Sequence, residues 1–382
     1  MNYSTKKKIL FIIESLRDGG AEKALIEMLS NFDYNYYNVS LCVIFSGEAY
    51  WNGTYWKEIP KEVKTIVLYK KHNSFCRKSF RFYKKYGFAT LLSFQLKRKT
   101  ENQYDTIISF LEGRSLLLHN IIRKRARNNI TWVHCDLANN HWTVRDFHSL
   151  KHEIKCYSNM DEIIFVSSQI MENFSNTFKI KTPKRCIYNI VNYERINKLA
   201  LLQPIKHESF TITCIGSLYK VKAYDRIIRV ARLLKNENLQ IHFQLIGQGE
   251  EEVNLKKLCT ELDVQDLVSF VGFKQNPYPY LKNSDIFICP SLSESFSLVI
   301  CEAMCLGVPV IATKTAGALE VLENGKYGII AEQNDASIYL SIRKMIDNTE
   351  LRKYYQQKAQ LRAKVLFDTN KVLSQIYKVI NK

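Results

Sequence analysis

Ser293-Glu294-Ser295-Phe296-Ser297-Leu298-Val299-Ile300-Cys301-Glu302-Ala303-Met304-Cys305-Leu306-Gly307-Val308-Pro309-Val310-Ile311-Ala312 is the run that decides how this chain is read. The residues before it, Asp285 to Cys289, form a short apolar stretch that predicts a buried strand. The run then predicts a loop, a helix ending at Gly307, and a second strand over Val308 to Ala312. A helix that starts near Ser297 turns its free backbone N–H groups back toward the loop, which makes an anion site. Glu294 precedes that helix and Glu302 lies inside it. A carboxylate accepts several hydroxyl hydrogen bonds. One segment can thus serve phosphate, ribose and a hexose. The competing reading makes Glu294 a helix cap and Glu302 a solvated helix residue. The apolar strand before the run and the Gly-Val-Pro strand after it argue for the first.

Working outward, strand-like and helix-like runs alternate along the whole chain. Strands are predicted at Lys8–Ile13, Val39–Phe45, Val63–Leu68, Thr106–Phe110, Ile130–His134 and Glu162–Val166. The helix from about Gly20 to Phe32 repeats its apolar residues at Ala21, Ala24, Leu25, Met28, Leu29 and Phe32. One long basic helical region is expected over roughly Ser79 to Lys97. A second series begins with the strand Phe210–Ile215 and runs through helix Ala223–Lys235, strand Gln240–Ile246, helix Glu251–Leu262 and strand Val268–Val271. Two such series imply an α/β fold of two doubly wound, Rossmann-like parallel sheets. Polar residues and Pro204 interrupt the pattern between Asn192 and Ser209. The expected division is residues 1–195, residues 196–365, and a terminal amphipathic helix within 366–382.

The spacing of Glu294, seven residues, then Glu302, followed by Ala-Met and Gly-Val-Pro, resembles the signature of the retaining glycosyltransferases of family 4 (group 1), in the GT-B superfamily. The resemblance implies two domains facing across a cleft, with the first on the acceptor side and the second binding a nucleotide sugar. The last helix would cross back to the first domain. It further implies that Glu294 contacts the donor sugar, that Glu302 holds the ribose, and that the backbone around Phe296, Ser297 and Leu298 binds the diphosphate.

Other segments carry the same resemblance, which extends from Lys8 to about Ala331. Gly19-Gly20-Ala21-Glu22 lies where the first strand turns into the first helix, and glycines there allow a close backbone approach. It is not a Gly-x-Gly-x-x-Gly fingerprint, so a nicotinamide cofactor is disfavoured. In Gly216-Ser217-Leu218-Tyr219-Lys220-Val221-Lys222, Lys222 matches the phosphate-binding lysine of the family. A cation there stabilises charge growing on a leaving diphosphate. The family commonly has Arg where this chain has Ser217; either the Ser217 hydroxyl or Lys220 is left to fill that place. Phe273 follows the strand whose end reads the base in the family. His134 ends a strand, where doubly wound folds keep their ligands, and matches a His that contacts the donor sugar. Gly317 and Glu320 fall in a Gly-x-x-Glu segment after the last core strand.

Composition bounds the rest. The 382 residues are 46% apolar and 24% charged, as in a globular protein of two ordinary domains. No apolar run reaches the length of a spanning helix, and Ile9–Ile13 is too short for a signal-peptide core. Ten cysteines without a Cys-x-x-Cys fit a reduced cytoplasmic protein. Cys301 and Cys305, four apart, read as small core residues. His148 and His152 are also four apart but lack a third ligand, so no metal is expected. The formal charge is +18 and is uneven: Lys61 to Thr100 holds twelve Lys or Arg against the single acid Glu62, with aromatics interleaved. Such a surface suits an anionic membrane on the inner face of the cell. No nucleic-acid module motif accompanies it.

Together these readings predict a metal-independent retaining transferase with no cofactor. It would move a sugar from a UDP- or GDP-sugar to a glycan or polyprenyl-linked acceptor. Capsule, lipopolysaccharide, exopolysaccharide or wall-glycan synthesis would fit. The alternatives are a nucleotide-sugar 2-epimerase of the same fold, or a non-catalytic nucleotide- or membrane-binding protein.

Overall fold

The computed structural model describes residues 6–17, 19–46, 54–70, 74–203, 205–237 and 239–382. Met1 to Thr5 of the basic N-terminus, 71–73 of the basic region and Pro204 lie outside the described residues. The chain divides into two units: Met1–Ile190 with Asn370–Lys382, and Val191–Thr369.

The first unit is built on seven parallel strands in the order β3-β2-β1-β4-β5-β6-β7. They are β1 Lys7–Ile13, β2 Tyr37–Phe45, β3 Lys64–Tyr69, β4 Tyr104–Ser109, β5 Ala126–Val133, β6 Glu162–Phe165 and β7 Lys184–Cys186. β1 has Ile9 to Ile13 wholly buried, as a central strand covered on both faces requires. The last helix, Thr369–Ile380, completes this unit, with Thr106 Oγ1 and Asn128 Nδ2 each donating to its final carbonyls at 2.9 Å.

The second unit repeats the plan with six strands, in the order β10-β9-β8-β11-β12-β13. These are β8 Phe210–Ile215, β9 Ile241–Ile246, β10 Val268–Gly272, β11 Ile286–Cys289, β12 Val310–Thr313 and β13 Ile329–Ala331. All pairings are parallel. In each unit the order reverses beside the first strand, between β1 and β4 and between β8 and β11. Doubly wound folds bind ligands at the carboxyl edge of that point. Each unit is thus a doubly wound, Rossmann-like α/β domain.

Three expectations need correction. The single basic helix is two helices, Ser74–Tyr86 and Thr90–Lys99. Gly87 between them has φ +77, a left-handed conformation that an ordinary side chain resists. The stretch Asn192 to Ser209 is not all linker. Asn192 caps a helix, Tyr193–Ala200, by accepting from Arg195 N, and Asn197 donates to Cys305 O at 3.2 Å. Strands β7 and β13 were not foreseen.

Candidate functional site

Four elements meet at the carboxyl edge of β8 and β11. After β8 the chain passes Gly216 and Ser217 and makes a short turn, Lys220–Lys222. Ala223 closes the turn in the left-handed region, φ +50, although it is not glycine. That conformation costs about 1 kcal/mol and fixes the direction in which Lys222 leaves the turn. After β11 the loop from Pro290 carries Ser291 and Glu294 into the helix Leu298–Leu306.

Lys222 Nζ donates to Glu294 Oε1 at 2.5 Å. Ser291 Oγ donates to the same oxygen at 2.8 Å, and the Cys289 thiol approaches it at 3.8 Å. Ser291 is itself held from β12, where Thr313 Oγ1 donates to its carbonyl at 2.5 Å. Three donors therefore converge on one oxygen of Glu294 and fix the carboxylate plane. Burial works against the charge on Lys222, but Glu294 outweighs it and the amine titrates above its ordinary value. Burial pushes the Cys289 thiol up to about 11, so it is a neutral donor here.

The Glu294 backbone is pinned as well. Its carbonyl accepts from Gly317 N at 2.7 Å. A Cβ at Gly317 would lie 2.9 Å from Phe296 N and 3.1 Å from Glu294 O, so only glycine allows this approach. A similar close contact joins the loops after β8 and β9, where a Cβ on Gly247 would meet Gly216 O at 1.9 Å.

Ser297 is the N-cap of Leu298–Leu306, and its side chain makes no capping bond. The first N–H groups of that helix have no intrahelical acceptor by geometry and carry the positive end of its dipole. Glu302 is one turn further in and 2% exposed, with the Tyr278 hydroxyl 3.5 Å from Oε1. Phe296 is buried against this region, while Phe273 is exposed after β10. Ser217 follows β8 beside the Lys222 turn, and Lys220 is exposed on it. Lys222, Glu294, Phe296, Ser297, Leu298 and Glu302 are thus brought into one patch, with Phe273 at the same sheet edge.

Gly19, Gly20 and His134 belong to the first unit, at the carboxyl edge of its own sheet. Gly19 is the N-cap of the helix Gly20–Ser30. His134 follows β5; its backbone N–H donates to Glu112 Oε2 at 3.0 Å and its ring lies against Phe110. Burial pushes this imidazole down to about 3, so it is neutral. His148 and His152 do not form a pair on one helix face: His148 precedes the helix Leu150–Ser158 and meets Lys84 O, while His152 meets the Tyr83 hydroxyl. Among the described residues no group of three His, Cys, Asp or Glu is placed to hold a metal ion. Sequence reasoning missed Ser291, Thr313 and Tyr278, because their partners are set by strand order and not by spacing.

The model of the family "Glycosyl transferases group 1" matches residues 202–362. The chain carries a group 1 glycosyl transferase domain. The patch around Lys222 and Glu294 lies inside the matched residues of that domain. A Campylobacter jejuni relative, the N-acetylgalactosamine-N,N'-diacetylbacillosaminyl-diphospho-undecaprenol 4-alpha-N-acetylgalactosaminyltransferase, is 30% identical over 56% of this chain and 59% of its own length. The amylovoran biosynthesis glycosyltransferase AmsK of Erwinia amylovora is 30% identical over 37% of each chain. The chain therefore covers less than two thirds of these curated relatives. Among solved structures, HepE of Anabaena in complex with UDP and glucose superposes with TM-score 0.77 at 21% identity, over 98% of this chain and 99% of that one. Like this chain, it has the GT-B fold.

Proposed function

We propose that this protein is a retaining glycosyltransferase that moves a sugar from a nucleotide diphosphate donor, a UDP- or GDP-sugar, to a glycan or polyprenyl-linked acceptor. The observation that carries the reading is the convergence of Lys222, Glu294 and the N-terminus of Leu298–Leu306 at the β8/β11 switch point. The helix N-terminus suits the diphosphate. Lys222 suits the charge that grows on the leaving phosphate, and so takes the part a divalent metal plays elsewhere. Glu302 accepts from ribose hydroxyls and Glu294 from the sugar. With Oε1 of Glu294 occupied by Lys222 and Ser291, Oε2 is the oxygen left for a sugar hydroxyl. His134, being neutral, serves as a hydrogen-bond partner and not as a cation.

The C. jejuni relative is named for a diphospho-undecaprenol acceptor, and AmsK for amylovoran biosynthesis. The first supports a lipid-linked glycan as acceptor, and with it a cytoplasmic protein peripheral to the inner face of the membrane. No helix among the described residues is long and apolar enough to cross one.

The test is a panel of nucleotide sugars screened by thermal shift, followed by turnover with the best binder in EDTA. A ligand that binds only the native state raises the melting temperature by mass action. Release of the nucleoside diphosphate in EDTA, with transfer or slow hydrolysis of the sugar, is expected. A strict need for added manganese or magnesium would overturn the metal-independent reading. Interconversion of the free donor would make the protein an epimerase, and binding without turnover would make it non-catalytic.

A further inference from the structure

We propose that the helices Ser74–Tyr86 and Thr90–Lys99 of the first unit form a two-part bilayer anchor: an aromatic turn enters an anionic membrane, and a basic face beside it pairs with the headgroups. The inference gives the lipid-linked-acceptor reading a physical means, and its test does not use transfer activity.

The inner face of this helix pair is fully used. Cys76, Ser79, Tyr83, Leu92 and Leu96 are buried, and Phe80 packs on Phe45 and Tyr69 at the carboxyl ends of β2 and β3. The outer face is left apolar. Phe75, Phe82, Tyr86, Phe88, Leu91 and Phe94 are all exposed, with Phe88 and Phe94 at 63%. Single exposed apolar residues are ordinary, but six large ones within one short hairpin mark an interaction surface. Their neighbours Arg77, Lys78, Arg81 and Lys85 are exposed too. No Asp or Glu occurs from Val63 to Thr100, so these cations have no acid on their own element. Other helices of the chain do pair theirs, as Lys256 does with Glu252 and Arg229 with Asp225.

Charge of one sign with exposed aromatic and leucine side chains fits a planar anionic surface with an apolar interior. The Gly87 turn puts Tyr86, Phe88, Leu91 and Phe94 close together in sequence at the junction of the two helices. The anchor is also fastened to the sheet edge. The Tyr83 hydroxyl meets His152 Nδ1 at 2.7 Å, and Lys84 Nζ donates to Val144 O and Phe147 O at 2.5 Å. Between those two carbonyls lies Asp146, which holds Arg114 at 3.0 Å at the carboxyl edge of β4. These contacts fix the helix pair to the loop that carries Asp146.

The experiment uses the full chain with Phe88→Trp, titrated with phosphatidylcholine vesicles and with vesicles containing phosphatidylglycerol. The expected result is a blue shift of the added indole on anionic vesicles only, quenched by acyl chains brominated just below the headgroups. Combining Arg77→Gln, Lys78→Gln, Arg81→Gln and Lys85→Gln should weaken partitioning roughly a hundredfold or more. Combining Phe82→Ser, Phe88→Ser and Phe94→Ser in the otherwise native chain should remove the part of binding that survives high salt. Circular dichroism checks that these surface variants fold. Vesicle binding without indole quenching would overturn the inserted turn in favour of adsorption by charge alone. No vesicle binding, or tighter binding to single-stranded RNA, would overturn the membrane partner altogether.

Discussion

The two units share one sheet plan and differ at the point where that plan offers a ligand site. At the β8/β11 edge, a lysine, a serine and a thiol turn their donors toward a single carboxylate, and a helix N-terminus follows in the same loop. At the β1/β4 edge the polar groups are sequestered. Glu112 is fully buried, and burial raises its carboxyl above the usual range. Burial likewise brings Asp146 up to about 6, against the pull of Arg114. Arg114 is spent on two acids, Glu14 and Asp146, at 3.0 Å each. The second edge is built to receive an anion, whereas the first keeps its charges internally balanced. Topology selects the place, and the side chains that follow each strand select the chemistry.

The contrast breaks most visibly at Lys222. Lys222→Ala should lower turnover by about a hundredfold or more, the scale of losing one preorganised charge contact in the transition state, while nucleoside binding changes little. Full activity would shift the role to Lys220. Glu302→Ala should weaken nucleotide affinity by about tenfold or more, since a charged hydrogen-bond acceptor contributes roughly 1.5–3 kcal/mol; calorimetric titration reads it. Ser291→Ala should cost about fivefold in turnover, near 1 kcal/mol for one lost hydrogen bond. Ser291→Thr should recover part of it, and an unchanged rate in Ser291→Ala would mean that Lys222 alone orients Glu294.

A smaller effect separates the units by pH. The folded-state pKa of His134 is depressed to about 3 from an ordinary value of 6.5. Between those values the unfolded chain binds the extra proton, so stability rises with pH. Its contribution is present above pH 6.5 and is lost as pH falls toward 3. Buried His119, pushed down to about 4, acts in the same direction. Asp146 titrates the other way, its raised pKa favouring the fold as pH falls through 6. His134→Gln should therefore lose its disadvantage to the native chain progressively from pH 7 to 4, by melting temperature. A constant difference across that range would mean that His134 titrates normally.

Much of this was legible in the sequence because the signals were local. β8 is legible at Phe210–Ile215, since Phe210, Ile212, Cys214 and Ile215 with the β-branched Thr211 and Thr213 make a short strand-forming run that stops at Gly216. The helix Leu298–Leu306 and its Gly307 terminus were legible from the same kind of cue. What escaped was either short or spatial. β7 and β13 are three-residue edge strands, too brief to show a period. The helix Tyr193–Ala200 was hidden in polar residues that looked like a linker. The break at Gly87 was overlooked because charge on both sides masked a turn signal. Ser291 and Gly317 gained their meaning only when β12 was laid beside β11 and brought Thr313 and Gly317 against the Glu294 loop.

The returning helix Thr369–Ile380 has a consequence for synthesis. Its Tyr377 stacks on Tyr37, its hydroxyl accepts from Asp33 N, and Lys382 pairs with Glu162. The first unit starts to emerge before the second yet is finished after it, because its closing helix is translated after Val191–Thr369. The second unit is one continuous segment, Val191–Thr369, and has all its strands as soon as it emerges. Translation order and completion order are therefore inverted in this chain. Until its final residues arrive, the first unit must wait with the amino ends of β4 and β5 uncovered. Limited proteolysis of chains ending before Thr369 would read that state directly: the 191–368 segment should persist while the first unit is cut.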